Sequence, residues 1–247
     1  MTSLILALVA GAVVGLALGG LGGGGSVLAV PALIYLLGFT PADAVTTSLI
    51  IVVLTTVTAL VGHARDGNVV WRTGLLFAAA GIVPAMIAGA AAGHLPQTVL
   101  TVAFAVVAAL AALRMLRPAP TGTSGGVRPG RAGAAGAGLG AVTGFLGVGG
   151  GFLAVPALVG VLNLPMRRAV GTSLLVITIN SLAALGARTG SGTHLDWTVI
   201  APFTAAAVLG AWDGKRLSAK VGGRTLQRLF GYLLLAVAAL MLVDALL

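Results

Sequence analysis

"GGLGGGGSVLAVPAL" spans Gly19 to Leu33, and "GFLGVGGGFLAVPAL" spans Gly144 to Leu158. The two stretches align without a gap at an offset of 125 residues. Gly22, Gly24, Gly25, Leu28, Ala29, Val30, Pro31, Ala32 and Leu33 meet identical residues in the second copy. The match runs on through Ala44-Val45 and Thr47-Ser48-Leu49, opposite Ala169-Val170 and Thr172-Ser173-Leu174, and one inserted residue then sets Trp71 opposite Trp197. Chance in a low-complexity chain explains shared Ala, Val and Leu. It does not explain Gly, Pro, Thr-Ser and Trp in the same order. The chain is therefore read as a duplication, with repeats over 1–117 and 132–247 and a Gly/Pro/Ser-rich linker over 118–131.

The residues around these copies place the fold in a membrane. Of 247 residues, 58% are hydrophobic and 8% charged, with a mean hydropathy of +1.11. Soluble domains carry about 25% charged residues. Apolar runs recur that approach the ~20 residues a spanning helix needs. The period-two alternation of a membrane barrel is missing. Five apolar segments are read in each repeat: 4–21, 26–38, 42–62, 69–92 and 96–116, then 132–147, 151–163, 167–187, 197–212 and 225–246. The second of each set is too short for a hydrocarbon core of ~30 Å unless tilted. The first two segments thus form either a re-entrant hairpin or two unequal crossings. The N-terminal apolar stretch has no basic n-region and is read as part of the mature fold.

Charge selects the topology. The net charge is +9, from 14 Lys and Arg against 5 Asp and Glu. In this setting it is read as basic loops that orient the helices rather than as a nucleic-acid surface. If the first two segments return to their starting side, every basic residue except Arg188 falls on one side. If they form one broken crossing, the basic residues split evenly, seven and seven. The positive-inside rule selects the first arrangement. It places the linker 118–131 in the cytoplasm and both termini outside. An odd number of crossings per repeat also inverts the second repeat, as in many secondary transporters. The predicted fold is an all-α polytopic membrane protein of two inverted repeats, each a Gly-rich broken or re-entrant helix pair followed by three transmembrane helices.

Consecutive glycines break a helix rather than decorate its face, although glycines in membrane helices also serve only to let helices pack closely, which is the alternative for these two elements. Broken backbone at membrane depth is tolerated only against protein or a wet cavity. The helix that starts after Gly25 has unpaired N–H groups and a positive dipole end, an anion site without a charged side chain. Two inverted copies bring two such starts toward the membrane interior. The candidate substrate-binding residues are Gly23, Gly24, Gly25 and Ser26, with Gly149, Gly150 and Gly151 in the second copy. Thr47-Ser48 and Thr172-Ser173 join them by symmetric placement, although such side chains also bond back to their own helix. Asn180, opposite Thr55, is a substrate contact or interhelical glue. Pro31 and Pro156 are candidate structural hinges. Gly11, Gly15, Gly89 and Gly93 are read as close-packing positions.

Other polar residues have plainer readings. His63 is an interfacial polar end or a proton carrier. His94, His194 and Asp196 are expected in outer loops. Asp43 suits the start of its helix. Arg167-Arg168 mark topology, or capture cytoplasmic anions. No carboxylate lies deep in a segment, which argues against a carboxylate proton relay. The sequence has no cysteine and no HExxH, GxSxG or Walker motif, so no catalytic residue, metal ligand or cofactor is assigned. "GLGGGG" lacks the strand context of a dinucleotide fingerprint.

"GGGGSVLAVPAL" and "VGGGFLAVPAL", followed by "AVTTSL" and "AVGTSL", resemble the TauE/SafE sulfite exporter family of bacterial inner-membrane transporters. The resemblance covers nearly the whole chain. It implies a cell inner membrane location and export of sulfite, sulfonates or related small organic anions. The residues themselves support a small anion. The copies differ at Ser26 against Gly151 and at Gly23 against Val148, so the half-sites need not be equivalent. The expected partners are the anion and membrane lipids, with no nucleic acid and the oligomeric state left open. The alternative is a non-transport scaffold or lipid-binding subunit.

Overall fold

The computed structural model describes residues 2–92, 97–116, 129–146, 151–187 and 196–246. Among them are ten α-helices and no strand. The first half holds α1 (Thr2–Leu21), α2 (Gly24–Pro31), a π-helical turn (Ala32–Leu36), α3 (Pro41–Arg65), α4 (Trp71–Ala92) and α5 (Gln97–Leu116). The second holds α6 (Pro129–Leu146), α7 (Gly151–Gly160), α8 (Met166–Ala187), α9 (Trp197–Lys220) and α10 (Gly223–Leu246).

Six helices among the described residues carry apolar windows long enough to cross a bilayer: Leu4–Leu21, Asp43–Arg65, Trp71–Ala88, Val99–Leu116, Met166–Gly186 and Gly223–Val243. Two shorter apolar helices, Gly25–Leu36 and Gly151–Gly160, follow the glycine elements. The chain is a multi-pass helical membrane protein. Large apolar side chains such as Ile5, Val83, Met86, Ile87 and Leu209 face outward, as expected where lipid replaces water.

Local chemistry sets the helix ends. Thr40 caps α3 by accepting from the Asp43 N–H at 3.3 Å, and Pro41 stands in the first turn, where no N–H is needed. Asp196 caps α9 through the Thr198 N–H at 3.0 Å. The segment expected to end at 212 continues as α9 to Lys220. Its last turns carry Lys215, Arg216 and Lys220, good helix formers that close the apolar run without closing the helix. The segment expected from 132 begins at Pro129, the N-terminal position that suits proline.

The halves exchange packing partners. The most extensive interface of α1 is with α9, and that of α6 is with α4. Gly11 lies on the Phe203 carbonyl, and its copy Gly136 lies on the Phe77 carbonyl. Gly15 lies on Ala207, and its copy Gly140 on Gly81. In both pairs glycine admits backbone contact that a Cβ would block. Helices α3 and α8 pack on each other, as do α5 and α10. At one end of the bundle Lys215 of α9 pairs with Asp66 after α3 at 2.9 Å. There Arg167, in the first turn of α8, donates to the Ala219 carbonyl at the end of α9 at 2.8 Å. Thus α3 ends where α8 begins.

Candidate functional site

The first glycine element turns the chain between α1 and α2. Gly22 has φ +73°, the left-handed region that glycine enters without strain, and its N–H donates to the Leu18 carbonyl at 2.9 Å. Gly24 then opens α2. Gly25 packs on Leu18 and the Val14 carbonyl, which closes the α1–α2 hairpin.

The two elements meet. A Cβ on Gly23 would strike the Gly151 carbonyl, the first residue of α7. A Cβ on Gly151 would stand 2.5 Å from Ser26 Oγ, and one on Gly22 would stand 2.5 Å from Ser173 Oγ. Ser26 and Gly151 are equivalent positions in the duplication. The two elements therefore touch at matching positions of the repeated sequence. The Ser26 hydroxyl donates to the Gly23 carbonyl at 2.8 Å, and that of Ser173 to the Val170 carbonyl at 2.7 Å. Both hydroxyls are thus held locally beside the glycines. The first N–H groups of α2 and α7 have no intrahelical acceptor and carry the positive ends of their helices. Gly149 and Gly150 lie outside the described residues.

The remaining candidates sit on the paired helices α3 and α8. Ser48 donates to the Val45 carbonyl at 2.8 Å. Thr172 accepts from the Val70 N–H at 3.0 Å, just before α4 begins. Thr47, its copy, is fully buried, and its hydroxyl has no partner among the described residues. Asn180 holds a buried amide oxygen without a partner among the described residues. No hydrogen bond among the described residues joins Thr47, Ser48 or Asn180 to the glycine cluster.

Three links lay outside the sequence reading. Thr56 and Thr178 place their hydroxyl oxygens 3.0 Å apart where α3 and α8 pack. Gln227 of α10 donates to the Met115 carbonyl of α5 at 2.7 Å. The third is His63, in the last turn of α3, whose ring is buried against α1. Its Nε2 lies 3.0 Å from the Gly19 carbonyl and donates to it, while Nδ1 has no partner among the described residues. The stem of Lys215 lies beside Gly62, so α1, α3 and α9 are tied together at this end. Arg167 serves the α9 C-terminus here. His94, His194 and Arg188 lie outside the described residues.

The sequence matches the family model "Sulfite exporter TauE/SafE" over residues 7–241. This chain belongs to the TauE/SafE sulfite exporter family. A probable membrane transporter protein of Xylella fastidiosa strain 9a5c is 34% identical over 248 residues, covering 96% of this chain and 94% of the relative. Its counterpart in strain Temecula1 is 32% identical over 254 residues, with the same coverage. The probable membrane transporter protein YunE of Bacillus subtilis strain 168 matches only 34% of this chain, at 35% identity. Family and relatives agree on a membrane transporter, and the helices agree on a multi-pass membrane protein.

Proposed function

We propose that this TauE/SafE-family protein is a secondary transporter that exports a small sulfur-containing anion, such as sulfite or a sulfonate, across the bacterial inner membrane. Both termini lie outside and the linker 118–131 lies in the cytoplasm. The observation that carries the reading is the contact of Gly22, Gly23 and Ser26 with Gly151 and Ser173. It sets two glycine-flanked helix starts beside each other, with no charged side chain among the described residues that meet there. Such starts bind anions through free N–H groups.

The opposed directions of α3 and α8 and the exchanged partners of α1 and α6 support inverted repeats. Alternating access follows from that plan, as rocking of one half against the other around a shared site. Glycine-on-carbonyl contacts between α1 and α9, and between α4 and α6, make stiff units that move together. Gly24, Gly25, Gly149 and Gly150 would supply backbone N–H groups. The Thr47 hydroxyl, without a partner among the described residues, is a buried donor that a passing anion would satisfy, whereas Asn180 would meet the anion through its amide nitrogen and not through its buried oxygen. Ser48 and Thr172 take the remaining hydroxyl positions on the same paired helices. A potential negative inside favours anion exit by about 2.3 kcal/mol per charge per 100 mV, so export needs no coupled ion.

The test is uptake and efflux in liposomes holding the purified chain, with sulfite, sulfate, thiosulfate and a sulfonate series, with and without a pH gradient. Potential-driven movement of at least one sulfur anion, lost in Gly23→Val, is the expected result. Failure to move any of them, or normal rates in Gly23→Val, would overturn the proposal.

A further inference from the structure

A cavity of about 660 Å³ lies away from the glycine interlock, between α5, α6 and α7. Its volume is within the range of about 300–1,000 Å³ that holds small molecules. It is hollowed by small residues, Ala135 and Gly138 of α6 with Ala157 and Gly160 of α7. A Cβ on Gly138 or Gly160 would meet nothing within 4 Å. The rim carries the exposed apolar Leu110 and Val161, so the groove opens toward lipid.

The duplication shows that this hollow is an addition to the shared plan. The first-half equivalents of Gly138 and Gly160 are Val13 and Tyr35. Arg114, on the groove wall in the last turn of α5, has apolar Leu240 as its second-half equivalent. In the first half a side chain therefore stands at each of the positions where the groove has a glycine, and no cation stands where Arg114 does.

Charge selects the occupant. The exposed Arg131 donates to the Val161 carbonyl at 3.4 Å, which brings a second guanidinium to the same rim. The sequence holds no Asp or Glu between Asp66 and Asp196, so no helix from α4 to α8 offers these cations a carboxylate. Gln227, the other polar lining residue, spends its amide nitrogen on Met115. An apolar trench ending at two such cations fits one ligand chemistry, a long apolar chain that ends in an anionic head.

We propose that the α5–α6–α7 groove binds an anionic phospholipid, its acyl chain along Gly138 and Gly160 and its phosphate at Arg114 and Arg131. An occupant bears directly on α7, the helix that opens at Gly151.

The test uses the full chain in mild detergent, with thermal unfolding and native mass spectrometry as readouts. Three probes are compared: dioleoyl phosphatidylglycerol, dioleoyl phosphatidylcholine and glycerol 3-phosphate. The phosphatidylglycerol is expected to be retained and to raise the melting temperature more than the phosphatidylcholine, with no effect of glycerol 3-phosphate. Gly138→Leu and Gly160→Leu, which fill open space, should each abolish retention while leaving the lipid-free melting temperature near that of the parent. Arg114→Gln with Arg131→Gln should reduce the headgroup preference by about fivefold per cation, roughly 25-fold for the pair. Equal responses to the two lipids overturn the proposal. So does full retention in both filled-groove variants, or a glycerol 3-phosphate response matching that of the phosphatidylglycerol, which would make the rim a site for free anions. A change of oligomeric state in Gly138→Leu with lipid retention intact would assign the groove to a second copy of the chain instead.

Discussion

The two glycine elements share their residues and differ in how they continue. After Pro31 the chain passes into the π-helical turn Ala32–Leu36, whereas after Pro156 it stays α-helical to Gly160. Both then close alike. Gly38 at φ +71° matches Asn163 at φ 54°, and the bond from the Phe39 N–H to the Leu33 carbonyl matches that from Leu164 to Leu158. Each proline removes one helix hydrogen bond. The first copy absorbs the loss by shifting register and the second does not. The duplicated letters thus fix where each element breaks and where it stops, while its neighbours decide the path between. The hydroxyls diverge in the same way. Thr172 receives the Val70 N–H because the Asn68 N–H is held on the His63 carbonyl at 3.0 Å, which lays that loop over α8. Its copy Thr47 receives nothing among the described residues.

The largest expected effect tests what the copies share. Gly23→Ala and Gly151→Ala each force a Cβ into the other copy, Gly23 against backbone and Gly151 against Ser26. Overpacking of this kind costs about 1–3 kcal/mol. Transport should be lost in both, with folded protein still recovered. A Gly151→Ala variant that transports normally beside an inactive Gly23→Ala would break the shared contact and leave the passage to the first half alone.

The next effect tests what they do not share. Thr172→Val strands the Val70 N–H, at a cost of about 1–3 kcal/mol. In a chain of this size that lowers the melting temperature by roughly 2–4 °C per kcal/mol. Thr47→Val strands nothing among the described residues and should leave the melting temperature unchanged or raised. Its transport rate should nevertheless fall, because the hydroxyl is assigned to the anion. Equal melting shifts in the two variants would show that Thr47 has a structural partner after all.

The pairing of α3 with α8 supplies a smaller effect. Thr56 and Thr178 also bond back to the Val52 and Leu174 carbonyls of their own helices, at 2.6 and 2.7 Å. A double-mutant cycle with valine at both positions should therefore return only about 0.6 kcal/mol of coupling, the usual value for such membrane pairs. A coupling near zero would mean that the two hydroxyls are merely adjacent.

These contrasts show how much the sequence could carry. The duplicated Gly, Pro and Thr-Ser positions located the broken elements and most helix boundaries, because broken backbone in a membrane leaves a compositional mark. The contact of Gly23 with Gly151 joins residues 128 apart and was legible only as something the expected inverted arrangement would bring about. The π-helical turn was not legible, since "AVPAL" is identical in both copies and only the surroundings differ. The burial of His63 was not legible, because its place near a helix end does not reveal that the α1 C-terminus covers it. Links such as Gln227 to Met115 pair residues 112 apart and leave no local trace. Thr178 had a usable signal: its first-half equivalent is Val53, one helical turn from Thr56, as a two-fold crossing of α3 and α8 requires.

The smallest effect concerns a contact that the duplication does not supply twice. Lys215 pairs with Asp66 at 2.9 Å, and the first-half equivalent of Lys215 is Gly89, which has no charge to offer. The pair is partly open to solvent, with side-chain exposures of 24% and 45%. Pairs of that kind contribute about 0–1 kcal/mol and weaken with salt. Lys215→Met keeps most of the stem that lies beside Gly62 and removes only the charge. Its melting temperature should fall slightly at low ionic strength and match the parent in high salt. A deficit that persists in high salt would place the contribution in packing against Gly62 rather than in the ion pair. The asymmetry between the halves at this end would then be one of shape, not of charge.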